Sequence, residues 1–416
     1  MIFPTDLKSP DKNAFSGLES LQTLSADDYR FCCFFDNLLS CETPPSPFAT
    51  CEGLLRRLSL RFCIWILGLS AIIGNIFVIV WRWKDRKHSE TNKVQILLII
   101  NLAISDLLMG IYMLIIGGAD AFYGHRYYLY GETWREHGLC KFAGIISVLS
   151  SEASVFMVTV ISIDRFLCVV FPFGNVRLRK KSTVIVITVM WSLAAIFSII
   201  PTILSDHIEG FYGLSDVCIG LPLVTSAKNF TMSIDETNDN GFVYYANESE
   251  EGPLWYYSIF LFIVLNLICF LIVLVCYIAI FISVKRSEGR RYACTKGQNE
   301  RNEQIKMAVK MALIVWTDLC CWVAIIIMGI LSQSGAVEIP VEVYAWTVVF
   351  ILPINSCINP YLYTISAHIS AKKRNSLRRK KKVRIGEESQ RLKTQSSFVS
   401  DNNINITKNI DNNKTL

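Results

Sequence analysis

Five ionisable side chains stand inside stretches that are otherwise apolar: Asp106, Glu152, the adjacent pair Asp164-Arg165, and Asp318. Holding one such group at the centre of a bilayer costs about 2.5 to 3.5 kcal/mol on insertion scales, so a residue kept there is a functional candidate. The chemistry open to them is ionic, not catalytic. Asp164 and Arg165 can form a local ion pair or snorkel to an interface. Asp106 shares the apolar stretches with Asn75, Asn355, Ser356 and Asn359. A carboxylate among amides and hydroxyls is how oxygens hold a small hard cation such as Na⁺. The same groups could instead form a plain polar bridge between helices. The five His are scattered, and neither a Gly-rich phosphate loop nor a metal-ligand spacing is present, so no enzyme is expected and no cofactor beyond that Na⁺. Nothing points to nucleic acid as a partner.

The elements that must position these groups are apolar runs. Hydrophobic residues make up 52% of the 416 and charged residues 18%, which is more apolar and less charged than a soluble domain. Seven runs, near 58–80, 94–118, 139–171, 184–204, 254–284, 305–331 and 341–365, are each long enough to cross roughly 30 Å of hydrocarbon at 1.5 Å per residue. The expected fold class is all-α, a seven-transmembrane helix bundle (58–365) with a short extracellular Cys-rich hinge (1–57) and a cytoplasmic basic tail (366–416). A lipid bilayer is then its solvent. Lys and Arg number 29 in the loops and tail sharing a side with the C-terminus, against 8 on the other. By the positive-inside rule the N-terminus faces out and the C-terminus lies in the cytoplasm, as in a multi-pass plasma-membrane protein.

That orientation sorts the remaining candidates. Cys32, Cys33, Cys41, Cys51, Cys140 and Cys218 fall in the oxidising compartment and can pair in fifteen ways. Asn229-Phe-Thr and Asn247-Glu-Ser are glycosylation acceptors in external loop 4–5. That loop carries Asp206, Glu209, Asp216, Asp235, Glu236, Asp239, Glu248, Glu250 and Glu251 against one Lys, a surface that would attract a basic ligand. Residues 366–382 read as a basic segment on the anionic inner leaflet, ahead of a disordered tail. Phe15 and Leu18, Leu21 and Leu24, spaced by three, look like the last unit of a leucine-rich repeat. No positive stretch followed by an apolar one opens the chain, so a signal anchor or an absent upstream segment is expected.

Taken together, several motifs carry a resemblance. Gly74-Asn75, Leu102-Ala-x-x-Asp106, Cys140, Asp164-Arg165-Phe166, Trp191, Cys321-Trp322 and Asn359-Pro360-x-x-Tyr363 occur in the order found in rhodopsin-like G-protein-coupled receptors. Phe31-Cys-Cys33, Cys51-Glu52, Leu149-Ser-Ser-Glu152, Thr317-Asp318 and Leu352-Pro-Ile-Asn355 resemble the leucine-rich-repeat-containing branch, and Phe211-Tyr-Gly and Asn175-Val-Arg the relaxin receptors in particular. The resemblance covers about residues 14–380. It implies a receptor that transduces an extracellular peptide or protein ligand, relaxin-like, to heterotrimeric G proteins; the alternative is a ligand-independent or non-signalling receptor of the same fold. It also implies a Cys140–Cys218 bridge, release of Arg165 from Asp164 on activation, and rearrangement of Trp322, Asn359, Pro360 and Tyr363. The chain departs from the pattern at Ala324, where a Pro usually follows Cys-Trp-x, and helix five lacks Pro, with Asn266 in its midst.

Overall fold

The computed structural model describes residues 17–18, 20–26, 29–35, 38–43, 50–55, 57–85, 93–171, 178–205, 216–219, 229–233, 243–247, 257, 259–288, 296–333 and 341–362. The basic segment at 366–382, the tail beyond it, Tyr363, and most of the loop 4–5 acids lie outside these residues.

Helices dominate. They are α1 (Leu58–Asp85), α2 (Lys93–Tyr123), the short α3 (Tyr127–Glu136), α4 (Gly138–Val170), α5 (Lys180–Ser205), α6 (Asn266–Glu288), α7 (Lys296–Gln333) and α8 (Val341–Trp346). A π turn, Ile259–Leu265, leads into α6, and a second, Thr347–Ile351, succeeds α8 and runs on as helix to residue 362. Among the described residues six helices are long and apolar enough to cross a membrane, and Val349–Leu362 is a shorter apolar one. The second π turn has a local cause. Pro353 lacks an N–H and its ring would strike the carbonyl four residues back, and Val349 lies within that turn.

Helices α1, α2 and α4 pack in sequence, with α4 at the centre touching α2, α5, α6 and α7. The outer faces of α1 and α6 are bare: Ile73 is 67% exposed and Phe281 67%, as expected where lipid tails would take the place of a partner. Two close approaches need glycine. A Cβ on Gly110 would lie 2.8 Å from Ile72, and one on Gly74 would lie 2.8 Å from the ring of Pro360. Gly74→Val should therefore push the last helix away from α1, costing about 1–3 kcal/mol through overpacking. A drop in the melting temperature of the purified protein would show it, and an unchanged value would mean the contact yields freely.

Several helices are longer than their apolar parts suggest: α1 runs past residue 80 to Asp85, and α5 starts at Lys180, ahead of residue 184. Helix α2 continues past residue 118 to Tyr123, and α7 begins at Lys296 on a polar stretch ahead of residue 305. The segment between the second and third spans, expected as a loop, contains α3, fixed by burial of Tyr127 (0% exposed) and Trp134 (2%).

The described residues between 17 and 57 form a small knot. Strands β1 (Thr23–Ser25) and β2 (Ser40–Glu42) pair in parallel, and Leu24 and Phe31 are buried with Leu18, Leu21 and Phe35 around them. Bridges Cys32–Cys41 and Cys33–Cys51 staple it. A hairpin of β3 (Asn229–Ser233) and β4 (Val243–Asn247) sets Asn229 and Asn247, the first residues of the two loop 4–5 sequons, opposite each other in register.

Candidate functional site

Three polar layers lie along α4. At the Cys140 end, Cys140 and Cys218 are joined by a disulfide, both fully buried. The residues just before Cys218 are held by several hydrogen bonds. Asp216 Oδ1 accepts from Tyr127 (2.8 Å) and Arg135 (2.9 Å), Trp134 Nε1 donates to the Asp216 carbonyl (3.0 Å), and Tyr112 donates to the Val217 carbonyl (2.9 Å). Asp216 is thus turned inward and paired, which removes it from the acidic surface expected of loop 4–5. The other side of α3 carries the knot: Arg30 pairs with Glu132 at 3.3 Å, and Phe34 meets Tyr128 edge-on at 5.3 Å. Leu54 and Leu55 are fully buried in the bundle mouth, the Leu55 N–H donates to Asp120 at 3.0 Å, and Arg61 forms an ion pair with Asp120 at 3.1 Å. None of Asp120, Glu132, Arg135 or Tyr127 stands out in the sequence, because each sits in a short polar stretch where such residues are commonplace.

The middle layer is built on Asp106, fully buried. Its Oδ1 accepts from Ser356 (3.0 Å) and Ser154 (3.3 Å), and its Oδ2 from the Asn359 amide (2.9 Å). This ties α2, α4 and the last helix together. Asn75 and Asn355, expected beside Asp106, bond elsewhere. Asn75 donates to the carbonyls of Ala71 (2.9 Å) and Ser356 (3.0 Å). The second bond has its origin in Pro360: having no N–H, it cannot satisfy the carbonyl four residues back, which is that of Ser356, and Asn75 does so instead. Asn355 donates to Asp318 at 2.9 Å, joining the last helix to α7 one turn before Trp322. Trp322 is 5% exposed and lies 6.2 Å from Phe270 of α6. Glu152, fully buried, lies in neither network. Ser154 escapes sequence reasoning, since serines in apolar helices mostly bond their own backbone, as Ser147, Ser151 and Ser162 do here.

The donors around Asp106 suit Na⁺. Both serines give their protons to the carboxylate and keep oxygen lone pairs, and Asn359 Oδ1 is buried without a hydrogen-bond partner. Hard oxygen ligands of this kind are what such a cation takes. No cluster of three or more His, Cys, Asp or Glu able to hold a metal occurs among the described residues.

At the opposite end, Asp164 and Arg165 are paired, 3% and 4% exposed, with Arg165 Nε 3.1 Å from the Asp164 carboxylate. Just beyond, Val169 of α4, Ile280 of α6 and Ala308 of α7 form a buried cluster against which Phe166 and Tyr277 pack. The ends of the three helices are closed on one another there.

The family described as 7 transmembrane receptor (rhodopsin family) matches residues 74–363, more than half of the chain. G-protein coupled receptor GRL101 of Lymnaea stagnalis is 38% identical over 356 residues, which are 85% of this chain and 29% of that protein. Relaxin receptor 1 of Homo sapiens is 30% identical over 338 residues, 81% of this chain and 41% of that one. Thyrotropin receptor of Felis catus is 26% identical over 364 residues, 87% and 41%. The chain spans less than half the length of these curated relatives.

Proposed function

Because the chain belongs to the rhodopsin family of seven-transmembrane receptors, a family of multi-pass membrane proteins and not of enzymes, we propose that it transduces an extracellular peptide or protein hormone, relaxin-like, to a heterotrimeric G protein. It does so from the plasma membrane, with its N-terminus outside.

The observation that carries this reading is the closed Arg165 end of the bundle. Arg165 is held by Asp164 where α4, α6 and α7 meet. Parting those helices would free the guanidinium and open a cleft for a helix of the G protein. A ligand drives that change only by binding the open arrangement better than the closed one. The Asp106 network reaches α4 through Ser154, and the Asp318 network reaches α7, so both bear on the equilibrium between the two arrangements. A sodium ion held by Asp106, Ser154, Ser356 and Asn359 would supply the positive charge this layer lacks. At the other end, the knot, α3 and loop 4–5 are joined to α4 through Asp216 and the Cys140–Cys218 bridge, which gives a bound ligand a route into the bundle.

The test uses the full chain in lipid vesicles with each class of heterotrimeric G protein. Guanine-nucleotide exchange should run faster with the receptor than with empty vesicles, and faster again when a relaxin-type peptide is added. Exchange at the empty-vesicle rate for every class would overturn the coupling, and no response to any such peptide would overturn the ligand.

A further inference from the structure

Glu152 sits about 18 Å along α4 from Cys140 and about 20 Å from Arg165, taking 1.5 Å per residue, which places it near mid-membrane. It is 0% exposed, and neither carboxyl oxygen has a hydrogen bond of ordinary geometry. Its surroundings are apolar: Ala153, Val155 and Phe156 of α4, Ala194 of α5, Phe270 of α6, and Trp322, Ile325 and Ile326 of α7 form the buried cluster at this level. The titratable group beside it is the Cys269 thiol of α6, and the polar group facing it is the Asn266 amide. Helix α7 carries one further buried carboxyl close to that cluster, Asp318, one turn before Trp322, and it accepts from Asn355 at 2.9 Å. The ion pairs of Asp120, Glu132, Asp164 and Asp216 all lie elsewhere. An ionised carboxylate in such a place would cost several kcal/mol, with no ion pair among the described residues and only the Asn266 amide to offset it.

Asn266 completes the picture. It is the first residue after the π turn Ile259–Leu265 and is fully buried, with its amide toward Glu152 and its Oδ1 receiving no hydrogen bond of ordinary geometry. A π turn takes in an extra residue, which rotates the rest of the helix by about 100°. π turns of this kind recur at functional sites. Here the turn brings an amide to a carboxyl in an otherwise apolar cluster. A carboxylate can only accept, whereas a carboxylic acid has one O–H to give. A proton on Glu152 would let the acid donate to Asn266 Oδ1, while the acid's carbonyl takes the amide N–H.

We propose that Glu152 is a proton-binding site: it carries its proton in the closed receptor and, as an acid, hydrogen-bonds to Asn266, forming a neutral lock between α4 and the π-turned start of α6 beside Trp322. The lock belongs to the arrangement in which Asp164 holds Arg165, so its signalling consequence rests on the function proposed above. Its protonation does not. Glu152→Gln keeps a neutral group with a donor and an acceptor and preserves the lock. Glu152→Leu removes it and leaves Asn266 facing an apolar side chain.

Infrared spectra of the purified full chain, in H₂O and D₂O, test the protonation without any G protein. The wild-type minus Glu152→Gln difference should contain the C=O stretch of a protonated carboxyl, shifted by deuterium. A difference showing only carboxylate bands would overturn the proposal. In cells, at matched surface level, Glu152→Gln should signal as wild type does, and Glu152→Leu should raise ligand-independent signalling about three- to tenfold, the worth of one neutral hydrogen bond. Should Gln behave like Leu, the charge is needed and the neutral lock is wrong. Should Leu leave basal signalling unchanged, the site carries a proton but locks nothing.

Discussion

Arg165→Ala is expected to reduce G-protein activation to background while the protein still reaches the cell surface in measurable amount. The guanidinium is the positive group at the junction of α4, α6 and α7 that an opening cleft would present to the G protein. Truncation also leaves Asp164, 3% exposed, without its cation, and breaking a buried pair by removing one partner costs several kcal/mol. Surface level will therefore fall, and the comparison must be made at matched expression. The double variant Asp164→Asn with Arg165→Ala separates the two effects. It removes both charges, so expression should recover while coupling stays lost. Asp164→Asn alone should act in the opposite sense, raising basal activity by releasing Arg165. Full signalling from Arg165→Ala at equal surface density would remove the assigned role and leave the pair as a structural contact.

The parts of the fold that can be read from the sequence are those set by one-dimensional physics. An apolar run of twenty or more residues must be a spanning helix, and the six long described helices lie on six of the seven runs. Polar residues inside such runs must find one another, which is why Asp106 and Asn359 are expected together and stand 2.9 Å apart. Which polar group reaches which is not readable. Asn75 and Asn355 look as suited to Asp106 as Asn359 does. Their partners are decided by a carbonyl left over at Pro360 and by the position of Asp318 one helix away, neither of which has a signature in composition. The ends of helices are also hidden. Hydropathy tracks the apolar part of a helix, so the polar start of α7 and the Asp120-bearing end of α2 fall outside it. The hinge cysteines pose a similar problem. The crossed alternative, Cys32–Cys51 with Cys33–Cys41, closes loops of similar size, and loop entropy varies only with the logarithm of length. What selects Cys32–Cys41 and Cys33–Cys51 is the three-dimensional knot around Leu24 and Phe31.

Cys140→Ser should lower surface expression severely and the melting temperature of whatever remains. The bridge spans a sequence separation of 78, and closing a loop of that size in a free chain is worth about 4–5 kcal/mol. The gain here is smaller, since both ends of the loop are already confined by membrane helices, and about 2–3 kcal/mol is the expected loss. Two further costs add to it. Both cysteines are fully buried, so the variant buries a hydroxyl and strands a thiol; the double variant Cys140→Ser with Cys218→Ser removes the stranded thiol and isolates the bridge itself. A second anchor limits the damage: Asp216 stays tied to Tyr127 and Arg135, and Val217 to Tyr112. The loop should therefore stay partly seated in Cys140→Ser and come away when Asp216→Asn is added. Because contacting residues couple, the combined loss should exceed the sum of the two single losses. Wild-type surface level and melting temperature in the double cysteine variant would show that the hydrogen bonds to Asp216 suffice, and that the route from loop 4–5 into α4 does not run through the disulfide.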